Sequence, residues 1–149
     1  MNDHAKQILS VDDDEDILAI ISLILSKSGY VVKTVNSAER AFKALESEVK
    51  PDLILLDVDM PEMNGYDVCS RLQEDPRLAL IPVIFLTARK KEQDRLKAFS
   101  VGGVDFLSKP VSQNKLYAIV KEHLKTREKW VENFEKLSTS NTEPALETS

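Results

Sequence analysis

Four consecutive apolar residues, Leu53-Ile54-Leu55-Leu56, stand between Pro51 and the turn signals Pro61 and Asn64-Gly65. A run that short, apolar at every position, reads as a strand buried on both faces. It stops at a carboxylate, Asp57, after which the proline and glycine force the chain to turn. In parallel α/β sheets ligands bind beyond the carboxyl ends of the strands. A buried strand that delivers an aspartate there is a candidate site, and the remaining sequence has to say what Asp57 is for.

Similar short runs recur along the chain. Gln7 to Val11 reads as a first strand, ending in the acidic run Asp12 to Asp16. Ile17 to Lys27 is apolar on nearly two sides, as in a helix sunk into a core. Asp14, Glu15 and Asp16 are expected in its first turn, where negative charge suits the helix dipole, and Gly29 ends it. Tyr30 to Val35 is the second strand, and Ser37 caps a helix carrying Ala38, Ala41, Phe42 and Leu45. The strand ending at Asp57 is third, followed from Asn64-Gly65 by a helix with Val68, Cys69 and Leu72. Pro82 to Leu86 is the fourth strand, ending at Thr87. A helix through Leu96 and Phe99 follows the charged segment 89–95, and Gly102-Gly103 ends it. Val104 to Leu107 is the fifth strand, before Lys109-Pro110, and Ser112 caps a last helix with Leu116, Ile119, Val120 and Leu124 inward. Five strand-helix alternations with short connections predict a parallel sheet with helices on both faces.

The 149 residues suit one domain. A net charge of −5 argues against a nucleic-acid surface of its own. The single cysteine, Cys69, reads as a small buried hydrophobe. No apolar run approaches the roughly 18 residues that span a bilayer, and the amino terminus lacks a signal-peptide pattern. A cytoplasmic location is expected. His4 and His123 lack a partner pattern and read as surface residues.

Strand one ends at Asp12-Asp13, strand three at Asp57, strand four at Thr87 and strand five at Lys109. Parallel strands bring these ends to one edge of the sheet. Carboxylates brought within about 5 Å repel by several kcal/mol unless a cation intervenes. Hard oxygen ligands in that number suit Mg²⁺. A lysine and a hydroxyl beside them suit the oxygens of a phosphoryl group. Phosphoryl transfer onto a carboxylate is the chemistry implied, with the central Asp57 as nucleophile.

The sequence resembles the receiver (response-regulator) domain of two-component signalling over roughly residues 6 to 125. Val11-Asp12-Asp13, Leu55-Leu56-Asp57-Val58-Asp59-Met60-Pro61, Asn64-Gly65, Leu86-Thr87-Ala88 and Phe106-Leu107-Ser108-Lys109-Pro110 carry the resemblance. It implies a flavodoxin-like, doubly wound five-stranded sheet in the order 2-1-3-4-5. It makes Asp57 the phosphoacceptor, with Mg²⁺ (or Mn²⁺) bound by Asp13 and Asp57, by Asp12 through a water, and by the backbone carbonyl of Asp59. Thr87 becomes the switch hydroxyl, Lys109 the counter-ion and Phe106 the aromatic that changes rotamer with it. The Lys109-Pro110 bond is expected to be cis. The implied partners are a sensor histidine kinase or phosphotransfer protein and an output domain or target, with no direct nucleic-acid or membrane contact. A homodimer is compatible with the sequence and not required by it. The chemistry is that of a phosphorylated switch, assisting its own phosphotransfer and dephosphorylation, rather than of an enzyme.

Asp59 and Arg89 stand at two positions that often tune dephosphorylation in receivers, and we expect them to pair across the site mouth. Apolar residues at 130, 131, 134 and 137 continue a helical stripe past the domain, so 126–137 is expected to be a helical extension or signalling linker. Residues 138–149 are polar and expected to be disordered.

Two other readings compete. Asp57-Val58-Asp59 also matches the Asp-x-Asp opening of haloacid-dehalogenase-like phosphohydrolases. In those enzymes, however, Asp-x-Asp comes first and the acidic metal pair last, whereas here the acidic pair comes first. A receiver-like interaction module that takes no phosphate would not need the acidic, hydroxyl and lysine set. A dinucleotide-binding Rossmann domain is excluded by aspartates where Gly-x-Gly-x-x-Gly should follow strand one.

Overall fold

In the computed structural model, which describes residues 5–88 and 92–140, strand and helix alternate five times. The elements are β1 (Gln7–Val11), α1 (Glu15–Lys27), β2 (Val31–Val35), α2 (Ala38–Ala44), β3 (Leu53–Asp57), α3 (Gly65–Gln73), β4 (Val83–Thr87), α4 (Glu92–Ser100), β5 (Asp105–Ser108) and α5 (Gln113–Ser140). The strands form one sheet in the order β2-β1-β3-β4-β5, parallel at every pairing. β3 is the middle strand, bonded to β1 and β4.

Side-chain alternation along β3 divides the core. Leu53 and Leu55 join Ile21, Leu25, Leu116 and Val120 under α1 and α5. Ile54 and Leu56 join Ala41, Val68, Leu72 and Ala98 under α2, α3 and α4. All four are at most 1% exposed, which is why the run carries no polar residue. Burying each such side chain contributes about 1.5–3 kcal/mol.

Helix starts follow local chemistry. Ser37 accepts the Arg40 N–H at 3.1 Å, Asn64 the Asp67 N–H at 2.9 Å and Ser112 the Lys115 N–H at 3.3 Å. Asp14 is the cap of α1 rather than part of its first turn, accepting from Asp16 N at 2.9 Å and Ile17 N at 3.3 Å. A short aspartate before the helix satisfies two otherwise orphan amides, which outweighs a general preference for charge inside it. Gly29, at φ 94°, follows the end of α1.

Some expected boundaries shift. β5 begins at Asp105, not Val104, and includes Ser108. α5 runs past Leu137 to Ser140, because nothing in Lys125 to Ser140 breaks a helix. His4, Arg89 and residues 141–149 lie outside the described residues. His123 is not the unpartnered surface residue expected: its Nε2 lies 2.7 Å from Asp105 Oδ2 with the ring largely covered. Among the described residues no helix is long and apolar enough to cross a membrane.

Leu55→Ala, which empties space at the centre of the sheet, is expected to cost about 2–5 kcal/mol in urea unfolding. The control Ile20→Ala, at an exposed position of α1, is expected to stay within about 0.5 kcal/mol.

Candidate functional site

Each candidate side chain is delivered by a strand end. Asp57 is the last residue of β3 and Thr87 the last of β4, Asp12 follows β1, and Lys109 follows β5. Asp12, Asp57 and Thr87 are buried, whereas Asp13 is exposed. Backbone hydrogen bonds lace the loops together at this edge. Asp12 N–H donates to Val35 O at 3.2 Å, Val58 N–H to Leu86 O at 3.1 Å, and Lys109 N–H to Thr87 O at 2.8 Å. The Lys109-Pro110 peptide is cis.

The carboxylates of Asp12, Asp13 and Asp57 each place one oxygen within 4.8 Å of the others. Lys109 Nζ bridges two of them, 3.0 Å from Asp12 Oδ2 and 3.1 Å from Asp57 Oδ1. Asp12 Oδ1 accepts the Asp14 N–H at 2.9 Å, so it also fixes the start of α1. Its Oδ2 is buried without a hydrogen bond of good geometry and faces the ammonium as an ion pair. Asp59 N–H approaches Asp57 Oδ1 at 3.4 Å.

The energetics follow from this crowding. Burial pushes the Asp57 carboxyl up to about 7, the charge on Asp12 pushes the same way, and Lys109 offsets part of both. Burial pulls the Lys109 ammonium down, but its bonds to Asp12 and Asp57 more than compensate and leave it above the usual lysine range. Two carboxylates within 4.8 Å of each other repel by at least about 3 kcal/mol at an effective dielectric of about 20. One lysine leaves the cluster of three carboxylates negative. The remaining negative charge and the hard, all-oxygen donor set therefore fit a small divalent cation.

Gly65 closes the β3–α3 loop over the site. Its N–H donates to Val58 O at 2.9 Å, and a Cβ at this position would strike the Asp57 carbonyl and lie 3.1 Å from Val58 Cα. Asn64-Gly65 is legible as a helix start, but this backbone contact has no sequence signal beyond the glycine itself. Phe106 lies half-buried in β5 against the α2–α4 side of the core. The Asp105–His123 pair, also missed, leaves no local trace because its partners are far apart in sequence.

A doubly wound parallel sheet with carboxylates and a lysine gathered at its carboxyl edge defines an α/β protein of the flavodoxin-like class, with an acidic cluster that could hold a cation. The response regulator receiver domain pattern matches residues 8–121. The alkaline phosphatase synthesis transcriptional regulatory protein PhoP of Bacillus subtilis is 39% identical over 123 residues, covering 83% of this chain and 50% of that one. The signal receiver domain of a signal transduction histidine kinase from Syntrophus aciditrophicus superposes with a TM-score of 0.75 at 36% identity, covering 82% and 92% of the two chains. A CheY-like response regulator receiver domain protein from Methanospirillum hungatei gives a TM-score of 0.77 at 28% identity, covering 85% and 98%. The chain belongs to the response regulator receiver domains of two-component signalling. It spans about half the length of the curated regulators it matches, 50%, 49% and 51% in three of them. Receiver domains are signalling modules that work with histidine kinases and output domains, and the phosphohydrolase alternative is not favoured.

Asp57 carries a folded-state value near 7, above its ordinary 3.8. A raised carboxylate contributes stability at low pH that is lost as pH rises through the folded value. In chelator, the contribution of Asp57 to thermal stability is expected to fall between about pH 4 and 7. Asp57→Asn is expected to flatten that slope and to melt higher than wild type at the alkaline end.

Proposed function

We propose that Asp57 accepts a phosphoryl group from the phosphohistidine of a sensor kinase or phosphotransfer protein. The observation that carries this reading is the buried Asp57 carboxylate held at the centre of the edge by Lys109, with Asp12 and Asp13 beside it. An Asp57 oxygen attacks phosphorus, the new O–P bond forms as the P–N bond breaks, and the electron pair leaves with the imidazole. Asp12, Asp13, Asp57 and the backbone carbonyl of Asp59 would hold Mg²⁺, with Mn²⁺ as the alternative. Bound there, the ion supplies charge neutralisation to the carboxylates and phosphoryl oxygens.

Lys109 already bridges Asp12 and Asp57, so an acyl phosphate at Asp57 gives its ammonium a new anionic partner within reach. Thr87, next to Asp57 on the neighbouring strand, supplies a hydroxyl to the same group. Phe106 and Lys109 share a cavity of about 450 Å³ with Glu92, Arg95, Pro110 and Ser112. That space lets the ring change rotamer when Thr87 moves, shifting the population of the α4–β5–α5 face that a target or output domain reads.

Residues 6–125 form the receiver in this reading, 126–137 an extension toward an output element, and 138–149 its tail. The domain turns over no substrate besides its own phosphoryl group, so p-nitrophenyl phosphate is expected to give no multiple turnover.

Incubation with acetyl phosphate and Mg²⁺ tests the assignment. One phosphoryl mass is expected on wild type and none on Asp57→Asn, and persistence of the adduct in that variant would overturn the role of Asp57. In this reading Asp59 and Arg89, which flank the phosphoacceptor strand and β4 in sequence, slow the attack of water on the phosphoryl group. Asp59→Ala and Arg89→Ala are each expected to speed loss of the phosphoryl group severalfold, and unchanged rates would refute that role.

A further inference from the structure

Helix α4 is held to the sheet by little apolar packing. Ala98 is its buried residue, Leu96 and Phe99 are 61% and 43% exposed, and of the others only Asp94 is partly covered. By contrast α1 buries Leu18, Ile21 and Leu25, and α3 buries Tyr66, Val68, Cys69 and Leu72. One alanine removes far less apolar area from water than any of those sets. Elements with so few buried apolar groups open at the low end of a domain's range of local stabilities.

What meets the first turn of α4 is an aromatic side chain from α3. The Tyr66 hydroxyl donates to the backbone carbonyl of Asp94 at 3.2 Å. Lys97 Nζ, three residues further along α4, lies 6.0 Å from the centroid of the same ring. Tyr66 is only 8% exposed and is fixed from below. Its ring meets Phe85 of β4 nearly edge to face, with centroids 5.3 Å apart and planes at 61°. Tyr66 therefore cannot follow α4 outward without giving up its place in the core.

Phe85 connects this contact to the acidic edge. It lies on the same side of β4 as Thr87, two residues on, and stands in register with Phe106 of β5. Tyr66, Phe85 and Phe106 all pack into the core on the α2–α4 side of the sheet. The far end of α4 is laid closely on the same ring. Gly103, in the turn to β5, donates its N–H to Ala98 O at 3.0 Å, and a Cβ there would lie 2.6 Å from the Phe85 ring. A helix fixed at its carboxyl end and hydrogen-bonded to a core tyrosine at its amino end pivots when that bond opens. Glu92 and Arg95, from the end that swings, line the cavity that also holds Phe106 and Lys109. The pivot changes the room available to the Phe106 ring.

We propose that Tyr66 is a positioning residue whose hydroxyl pins the first turn of α4 and sets how often that helix swings away from the sheet. The pinned arrangement is the one in which Lys109 bridges Asp12 and Asp57. Its link to phosphoryl uptake rests on the phosphoacceptor reading above. A phosphoryl group on Asp57 draws Lys109 and Thr87 toward itself, and the movement of Phe106 that follows works against the pin. Opening the pin in advance favours the phosphorylated arrangement by up to the factor by which it favours the swung helix. One neutral hydrogen bond corresponds to a factor of about three to ten.

Hydrogen exchange of the full chain tests the pin, and an Asp57→Asn background keeps phosphorylation out of the measurement. Tyr66→Phe leaves the ring on Phe85 and removes only the hydroxyl. In that background it is expected to speed exchange of the α4 amides about three- to tenfold, with α1, α3 and β4 unchanged. Unchanged α4 exchange, or equal loosening of all four elements, would mean general support of the core and would overturn the proposal. Tyr117→Phe takes the same atom from an exposed ring of α5 and is expected to leave α4 as it is; the same loosening there would also overturn the pin. With Asp57 intact, Tyr66→Phe is expected to take up the phosphoryl group from dilute acetyl phosphate and Mg²⁺ about three- to tenfold faster than wild type. A loosened α4 with unchanged uptake would overturn the positioning role. If neither protein is labelled, the phosphoacceptor reading fails, and the exchange measurement still decides the pin.

Discussion

The pair of ion contacts made by Lys109, at 3.0 Å to Asp12 and 3.1 Å to Asp57, is what allows this edge of the sheet to exist. Both carboxylates are buried, and taking such a charge out of water costs several kcal/mol even after relaxation. Their mutual repulsion adds to that cost. A single ammonium between them attracts both, yet with Asp13 alongside it leaves the cluster negative. The site is thus stable enough to fold and still short of positive charge, a deficit that a small cation fits.

The rest of the fold positions this imbalance. Parallel strands deliver their carboxyl ends to one edge, so residues from β1, β3, β4 and the β5–α5 loop meet without any long insertion. The apolar run of β3 sets Asp57 rigidly, because Leu53 to Leu56 are gripped from both faces. Asp12 is committed twice over, to Lys109 and to the Asp14 amide that opens α1. A change in charge at Asp57 therefore acts on a lysine whose loop is bonded through its backbone to Thr87. The route from charge to the α4–β5–α5 side of the domain is short.

How much of this is legible in the sequence depends on the range of the interaction. The strands could be read because burial on two faces leaves no room for polar residues, and β3 shows this most plainly. The acidic pair, Asp57, Thr87 and Lys109 could be read because each follows an apolar run directly. Interactions between side chains far apart in sequence could not. Asp105 and His123 each look like an ordinary surface residue until β5 and α5 are side by side. Asp14 looked like helix charge, and the difference between a first-turn residue and a cap is one residue of register. The close approach of Gly65 to the Asp57 carbonyl is likewise a fact about two loops and not about either one.

The two ends of the sheet answer to different constraints. At the carboxyl end Asp12, Asp57 and Thr87 are buried, and Lys109 holds the two carboxylates together. At the amino end Val49, Leu80 and Val104 are exposed, and the polar contacts there, Asp52 with Arg127 and Lys6 with Glu128, fix the direction of a helix. A helix fixed at that point extends as one rod with the turns that pack beside β5 and carry His123. Any tilt of α5 that follows from events at Lys109 must therefore also swing Trp130 and Leu137 below the sheet.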